Sequence, residues 1–276
     1  MAKVLITGCS SGFGLLAALR FARAGDRVFA TMRHPERAPE ALRRAAREAP
    51  LAISLLPLDV CDQASVDAAL RESGPLDVLV NNAGIELRSS IEDATEEEVR
   101  RQFETNVFGA VRVLQAVLPA MREHRRGTIV NVSSIAGLVG RPFGGYYSAT
   151  KHALEAISEA LHFEVRPYGI RVVLIEPGQY ETRLLDNALQ GSRFGPGSPY
   201  WEASGRLDDR LRRLRTGEKG ADPEEVAELI YASVHDPNPR LRYLAGEDAK
   251  LIAGAYREMD FERYEAMMRQ TLDWED

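Results

Sequence analysis

The chain has 276 residues, of which 45% are hydrophobic and 28% charged, with a formal net charge of −6. That length suits one large α/β domain better than two separate cores, and the composition is that of a folded globular chain. The negative balance gives no general attraction to nucleic acid or anionic lipid, so neither is expected as a partner.

Short β-branched runs alternate with longer helical patterns from the first residues to about Ile175. Strands are predicted at Val4–Ile6, Arg27–Ala30, Ile53–Leu58, Val78–Val80, Thr128–Val132 and Arg171–Ile175, with a short one near Leu241–Leu244. Several are apolar on successive residues, as in strands covered on both faces. Helices are predicted at Leu15–Ala24, Ser65–Ser73, Thr95–Glu123, Ser148–Arg166 and Glu224–His235. Thr95 with Glu98 has capping-box spacing, and Asp222, Pro223 and Glu225 give a second start signal. This alternation predicts a single-domain, Rossmann-type doubly wound parallel sheet with helices on both faces. Ligands on such sheets bind beyond the carboxyl ends of the strands.

Residues 190–220 break the pattern. A Gly/Ser/Pro-rich stretch, Gly191 to Pro199, gives way to a charged segment, as in a substrate lid within the domain. Its rings Phe194, Tyr200 and Trp201 suit an apolar or aromatic substrate, or else pack the lid on the domain. Leu207, Leu211 and Leu214 fall on one helical face and Arg206, Arg210 and Arg213 on another. Residues 255–276 form a C-terminal extension whose apolar content suits a subunit neighbour or the mouth of the site. The two cysteines, Cys9 and Cys61, suggest neither a disulfide framework nor a metal site and are expected as buried or half-buried thiols. No apolar run reaches the roughly 20 residues of a membrane span, and Val4-Leu5-Ile6 is too short for a signal peptide. A cytoplasmic location is expected.

The first strand runs into Thr7-Gly8-Cys9-Ser10-Ser11-Gly12-Phe13-Gly14 and then a helix. Glycines let the backbone turn tightly and approach a pyrophosphate, and the helix N-terminus offers free N–H groups to the anion. Three residues separate Gly8 from Gly12, which differs from the common G-x-G-x-x-G fingerprint. The second strand ends without the carboxylate that NAD sites use for the ribose hydroxyl, and Arg33 follows instead. A guanidinium beside Ser10 suits a 2′-phosphate, so NADP(H) is the expected cofactor.

Tyr147 and Lys151 stand four residues apart on a helical run and share a face. Ser134 follows the apolar strand Thr128–Val132, so strand end and helix can converge. Hydride addition to a carbonyl leaves an alkoxide that needs a proton donor. A free tyrosine, with a pKa of about 10, is a poor one near neutrality, and a close Lys151 ammonium is expected to lower it. Ser134 would hold the carbonyl oxygen. Tyr146 is the competing tyrosine, but the residue four positions on from it is Thr150, which carries no charge.

Taken together, Thr7-Gly-x-x-x-Gly12-x-Gly14, Asn81-Asn82-Ala83-Gly84, Asn106, Ser134, Tyr147-x-x-x-Lys151 and Pro177-Gly178 resemble the short-chain dehydrogenase/reductase family over roughly residues 3 to 245. The turn and the Ala30–Arg33 stretch look like its hydroxysteroid and retinol dehydrogenase branch. The resemblance implies that Asp59 and Val60 contact adenine, and that Asn82, Ala83 and Gly84 support the adenosine ribose and the central strand. It places Asn106 in a helix irregularity that helps a water relay protons to Lys151, a residue that also holds the nicotinamide ribose. Pro177, Gly178, Tyr180 and Thr182 would border the nicotinamide. A homodimer or homotetramer acting on a small molecule, with no metal, is implied.

The expected activity is NADPH-dependent interconversion of a ketone and a secondary alcohol. A 3-oxoacyl-thioester reductase and a non-catalytic NADP-binding sensor are the alternatives. The intact Ser134/Tyr147/Lys151 set argues against the sensor, since binding alone does not need it. A dehydratase or epimerase is disfavoured by the glycine spacing and the lack of a large second domain.

Overall fold

The computed structural model describes residues 1–48, 53–180, 188–215 and 222–274. Among the described residues the seven predicted runs form strands and two short strands, β5 and β8, join them: β1 (Lys3–Ile6), β2 (Arg27–Met32), β3 (Ile53–Pro57), β4 (Val78–Asn81), β5 (Leu87–Arg88), β6 (Gly127–Val132), β7 (Ile170–Pro177), β8 (Leu189–Gln190) and β9 (Arg242–Ala245). Seven pair in one parallel sheet of order β3-β2-β1-β4-β6-β7-β9. The order reverses between β1 and β4, which opens a crevice at the carboxyl ends of these two strands.

Successive residues of a strand face opposite sides of a sheet, and here both sides are buried. Val4 and Ile6 enter the core with α1 (Gly12–Arg23), α2 (Glu40–Arg47) and α8 (Pro223–His235), through Phe21, Leu42, Val226 and Ile230. Leu5, between them, enters the opposite core with α3 (Gln63–Ser73), α5 (Gly109–His124) and α6 (Gly145–Val165). Helix α2 was not expected. Half of its eight residues are charged, and it buries Leu42 and Ala45 with Ala46 packed beside them.

The run expected as one helix from Thr95 to Glu123 is interrupted. Helix α4 (Glu96–Phe103) begins at the expected capping box, where the Thr95 hydroxyl accepts from the Glu98 amide and the Glu98 carboxylate accepts from that of Thr95. A π turn over Glu104–Phe108 then separates α4 from α5. Its cause is tertiary: the turn aims buried Asn106 at the loop after β4, and Gly109 lets the helix approach Val60, whose Cγ2 would lie 2.7 Å from an added Cβ. π turns recur where a helix must aim one side chain.

Residues 189–208 clasp the loop 86–98. Strand β8 pairs with β5, Tyr200 donates to the Glu92 carboxylate, Ser198 donates to that of Asp93, and Arg88 bridges to Asp208 in α7 (Trp201–Arg215). Phe194 is fully buried, stacked on Phe143 and edge-on to Trp201. These rings therefore pack the segment against the domain. Leu207 is buried as the amphipathic pattern requires, and Arg210 donates to the Thr271 carbonyl; the side chains of Arg213 and Leu214 lie outside the described residues. The C-terminal extension takes in the last turn of α9 (Glu247–Glu258) and all of α10 (Phe261–Leu272), and the two helices pack over Ile135 and Val139. Cys9 is buried, with its thiol pushed up to about 12, whereas Cys61 is exposed, contrary to expectation. It sits at the cleft rim between Asp59 and Thr105. Among the described residues no helix is long and apolar enough to cross a membrane.

Candidate active site

A cleft of about 1620 Å³ opens along the strand ends and meets Gly8, Ser10, Ser11, Gly12, Phe13, Arg33, Asp59, Val60, Asn82, Ala83, Gly84, Tyr147 and Lys151. Its floor is the glycine turn. Gly8 (φ 74) and Gly12 (φ 57) hold left-handed conformations that suit glycine. A Cβ on Gly14 would lie 2.5 Å from the Asn82 amide nitrogen and 2.7 Å from the Gly8 carbonyl oxygen. Ser11 caps α1 with no side-chain bond to the helix and no acidic residue in its first turn, so this terminus suits an anion. Asn82 braces the turn by donating to the Thr7 carbonyl at 2.9 Å, and Thr7 accepts from the amides of Asn82 and Ala83 through its hydroxyl. Thr7 is a pin that residue reading passed over. Its signal was present, a buried-strand exit ending in a hydroxyl before glycine.

The groove fits a nicotinamide dinucleotide. Left-handed glycines form a cradle that side chains would fill, and the exposed Arg33 lines the end beyond β2. Arg33 makes no ion pair among the described residues, which leaves its guanidinium available to an anion. Asp59 faces the cleft while accepting from the Cys61 amide, and Val60 packs beneath it.

At the other end, Tyr147 and Lys151 project from the first turns of α6, both buried. Lys151 Nζ donates to the Val132 carbonyl at 2.8 Å and lies 5.6 Å from the Tyr147 ring centroid. Burial pushes the ammonium down to about 8, with the carboxylates of Glu155 and Glu86 opposing. Ser134 closes the set from the end of β6. Its hydroxyl accepts from the Ala136 amide at 3.1 Å and lies near enough to Tyr147 to favour its ionised form. Tyr146 spends its hydroxyl on the Ile91 carbonyl, so it braces a loop.

The expected tuning of Tyr147 is corrected here. Burial holds its hydroxyl well above the ordinary tyrosine range, and the Glu86 carboxylate pushes it further up. The Ser134 hydroxyl and the Arg141 guanidinium oppose this. Lys151 is itself desolvated and occupied by Val132, so in this state it does not supply the lowering expected of it.

Asn106 sits in the helix irregularity as expected, but its side chain bonds the Ile85 backbone through both of its ends and donates to Thr150. None of these bonds reaches Lys151. Tyr180 departs from its expected place: it is buried against the Phe13 ring and donates to Glu225 in α8, away from the cleft lining. Pro177 offers its carbonyl 3.4 Å from the Ser134 hydroxyl, and Gly178 lies against Asp248, which leaves no room for a side chain. Thr182 lies outside the described residues.

The family model described as short chain dehydrogenase matches residues 2–192. The chain belongs to the short-chain dehydrogenase/reductase family. It is 39% identical over 247 residues to the 3-ketodihydrosphingosine reductase of Bacteroides thetaiotaomicron, covering 88% of this chain and 87% of the relative. It is 38% identical over 262 residues to human 17-beta-hydroxysteroid dehydrogenase type 1, covering 88% and 77%. The fold matches the crystal structure of a Streptomyces avermitilis short-chain dehydrogenase with a TM-score of 0.81 and 35% identity, over 99% of this chain and 98% of the other. Solved relatives have been captured with NADP and with NAD, and family membership makes this chain an oxidoreductase.

Proposed function

We propose that this short-chain dehydrogenase/reductase is an NADPH-dependent ketone reductase, reversible as a secondary-alcohol dehydrogenase, with Tyr147 as general acid/base. The observation that carries the reading is the meeting of Tyr147, Ser134 and Lys151 at one end of a groove whose other end presents Arg33. NADPH, when bound, supplies the hydride. Ser134 and Tyr147 hold the substrate oxygen through their hydroxyls, and a protonated Tyr147, favoured by its burial, gives its proton to the alkoxide oxygen. In the reverse direction Tyr147 must take that proton, and the Lys151 ammonium favours its phenolate once the substrate and cofactor orient both groups. Asn106 holds the irregular helix turn and the Ile85 loop beside this pair, as a positioning residue.

Arg33 supports the preference for NADP over NAD, since a guanidinium at the ribose end pairs with a 2′-phosphate and no carboxylate competes there. The two relatives named above are called a 3-ketodihydrosphingosine reductase and a 17-beta-hydroxysteroid dehydrogenase, which supports a ketone or secondary alcohol on a largely apolar molecule. We propose the lid over that substrate at 190–220, of which 190–215 lie among the described residues, and expect a cytoplasmic homo-oligomer.

The deciding experiment is NADPH and NADH oxidation followed at 340 nm against aryl and aliphatic ketones, quinones and 3-oxoacyl thioesters. Ketone-dependent turnover that prefers NADPH, and drops at least about a hundredfold in Tyr147→Phe with NADPH affinity unchanged, supports the reading. Turnover by Tyr147→Phe equal to the parent would remove Tyr147 from the chemistry.

A further inference from the structure

Thr150 stands between Tyr147 and Lys151 on α6, and its hydroxyl joins two elements. The residue is fully buried. Its hydroxyl donates to the Tyr147 backbone carbonyl at 2.7 Å and accepts from the Asn106 side-chain nitrogen at 3.1 Å. These directions are fixed, because a carbonyl only accepts and an amide nitrogen only donates. In an α-helix the carbonyl of residue 147 is also the partner of the residue 151 amide. Thr150 therefore touches the peptide group that closes the turn carrying both Tyr147 and Lys151.

The far end of this tie is held just as firmly. Asn106 donates to the Ile85 carbonyl and accepts from the Ile85 amide, both at 2.9 Å, so every polar atom of its side chain is used. Gln102, one turn earlier and fully buried, grips the same loop: it donates to the Ile85 carbonyl at 2.8 Å and accepts from the Leu87 amide. That loop follows directly on Asn82, Ala83 and Gly84, which line the cleft. A line of hydrogen bonds thus runs from the cleft wall through Ile85, Asn106 and Thr150 to the backbone of Tyr147. The turn that carries Tyr147 is weakly fastened otherwise, since α6 starts from Gly144 and Gly145 with no side-chain cap. A bond from a threonine back to its own helix does not by itself strengthen the helix, so helix stability is a poor reason for this buried hydroxyl.

We infer that Thr150 is a positioning residue for the reaction: its hydroxyl fixes the backbone of Tyr147 against the loop that walls the cofactor groove, and so sets where the tyrosine hydroxyl stands relative to the carbon that receives hydride. Transfer of this kind tolerates little misplacement of the reacting groups. This inference rests on the assignment of Tyr147 as acid/base. Ser158 supplies a matched control on the same helix. It is also fully buried, donates to the Leu154 carbonyl at 2.6 Å and accepts from the Asn131 side chain at 2.8 Å, yet it lies outside the cleft lining.

The test is ketone turnover at saturating NADPH, expressed per NADPH-binding site, with the sites counted by fluorescence titration of the same sample. A merely structural role lowers the number of folded sites and leaves turnover per site unchanged. Thr150→Ala should lower kcat per site at least about tenfold while NADPH affinity changes by less than about threefold. Thr150→Ser keeps the hydroxyl and should return kcat to within about threefold of the parent. Ser158→Ala removes the same kind of bond elsewhere on α6 and should leave kcat per site within about twofold of the parent. If Thr150→Ala does not fold, Thr150→Val, which keeps the buried volume, is read in its place. Equal turnover per site in Thr150→Ala and Ser158→Ala, or no recovery in Thr150→Ser, would overturn the inference. Failure of the Tyr147 assignment is a separate result, seen as undiminished turnover in Tyr147→Phe.

Discussion

Gly14→Ala tests whether the dinucleotide turn is held by close backbone approach. Gly14 lies in α1 without a left-handed φ, so the substitution adds no backbone strain, and exchanging glycine for alanine inside a helix should by itself gain up to about 1 kcal/mol. Against this, the new Cβ would meet the Gly8 carbonyl at 2.7 Å and the Asn82 amide nitrogen at 2.5 Å. The Gly8 oxygen belongs to the turn itself and cannot swing aside. Asn82 can move only by giving up its bonds to the Thr7 and Gly8 carbonyls, at 2.9 and 3.3 Å. Overpacking of this kind costs about 1–3 kcal/mol, and each weakened hydrogen bond about 1 kcal/mol. The clash outweighs the propensity gain, and a net loss of about 1–3 kcal/mol is expected in urea unfolding. The larger effect falls on the cofactor, whose pyrophosphate would lose the cradle, and NADPH should bind at least about tenfold more weakly by fluorescence titration. Gly254→Ala is the control: Gly254 lies in α9 with nothing within 4 Å of its added Cβ, and should gain stability with unchanged NADPH affinity. If Gly14→Ala matched Gly254→Ala in both measurements, the close-approach argument would be wrong.

Lys151→Met should stabilise the protein near neutral pH while lowering activity. Burial takes Lys151 from the ordinary lysine value of 10.5 to about 8, so between these values the unfolded chain binds more protons than the folded one. Its stability penalty is therefore complete below pH 8 and disappears as pH rises towards 10.5. The shift corresponds to about 3 kcal/mol, less about 1 kcal/mol for the Val132 carbonyl left unpaired. Urea midpoints of parent and variant should differ most at pH 7 and converge by about pH 10; a constant difference would refute the titration argument. Arg33→Asp should weaken NADPH binding and move the NADPH/NADH preference towards NADH by at least about tenfold, because a carboxylate repels a 2′-phosphate and accepts from ribose hydroxyls. An unchanged ratio would remove Arg33 from the cofactor site.

The sequence by itself determined the sheet, the glycine turn and the pairing of Tyr147 with Lys151, because each rests on local periodicity or spacing. Val4-Leu5-Ile6 must be buried on both faces, residues four apart must share a helix face, and Thr95 with Glu98 must start a helix, whatever lies nearby. Tertiary structure decided what depends on which distant segment arrives. Asn106 is drawn to Ile85 and Thr150 by a π turn that no periodicity announces, and Tyr180 is taken up by Phe13 and Glu225. Phe194 is consumed by packing between Phe143 and Trp201. The protonation of Tyr147 belongs to the same class. Spacing placed a lysine beside it, but burial and the meeting of Glu86 with Arg141, 55 residues apart in sequence, set the field it feels. Desolvation and long-range charge depend on the whole surround of a group, and a linear motif records only its own helix turn.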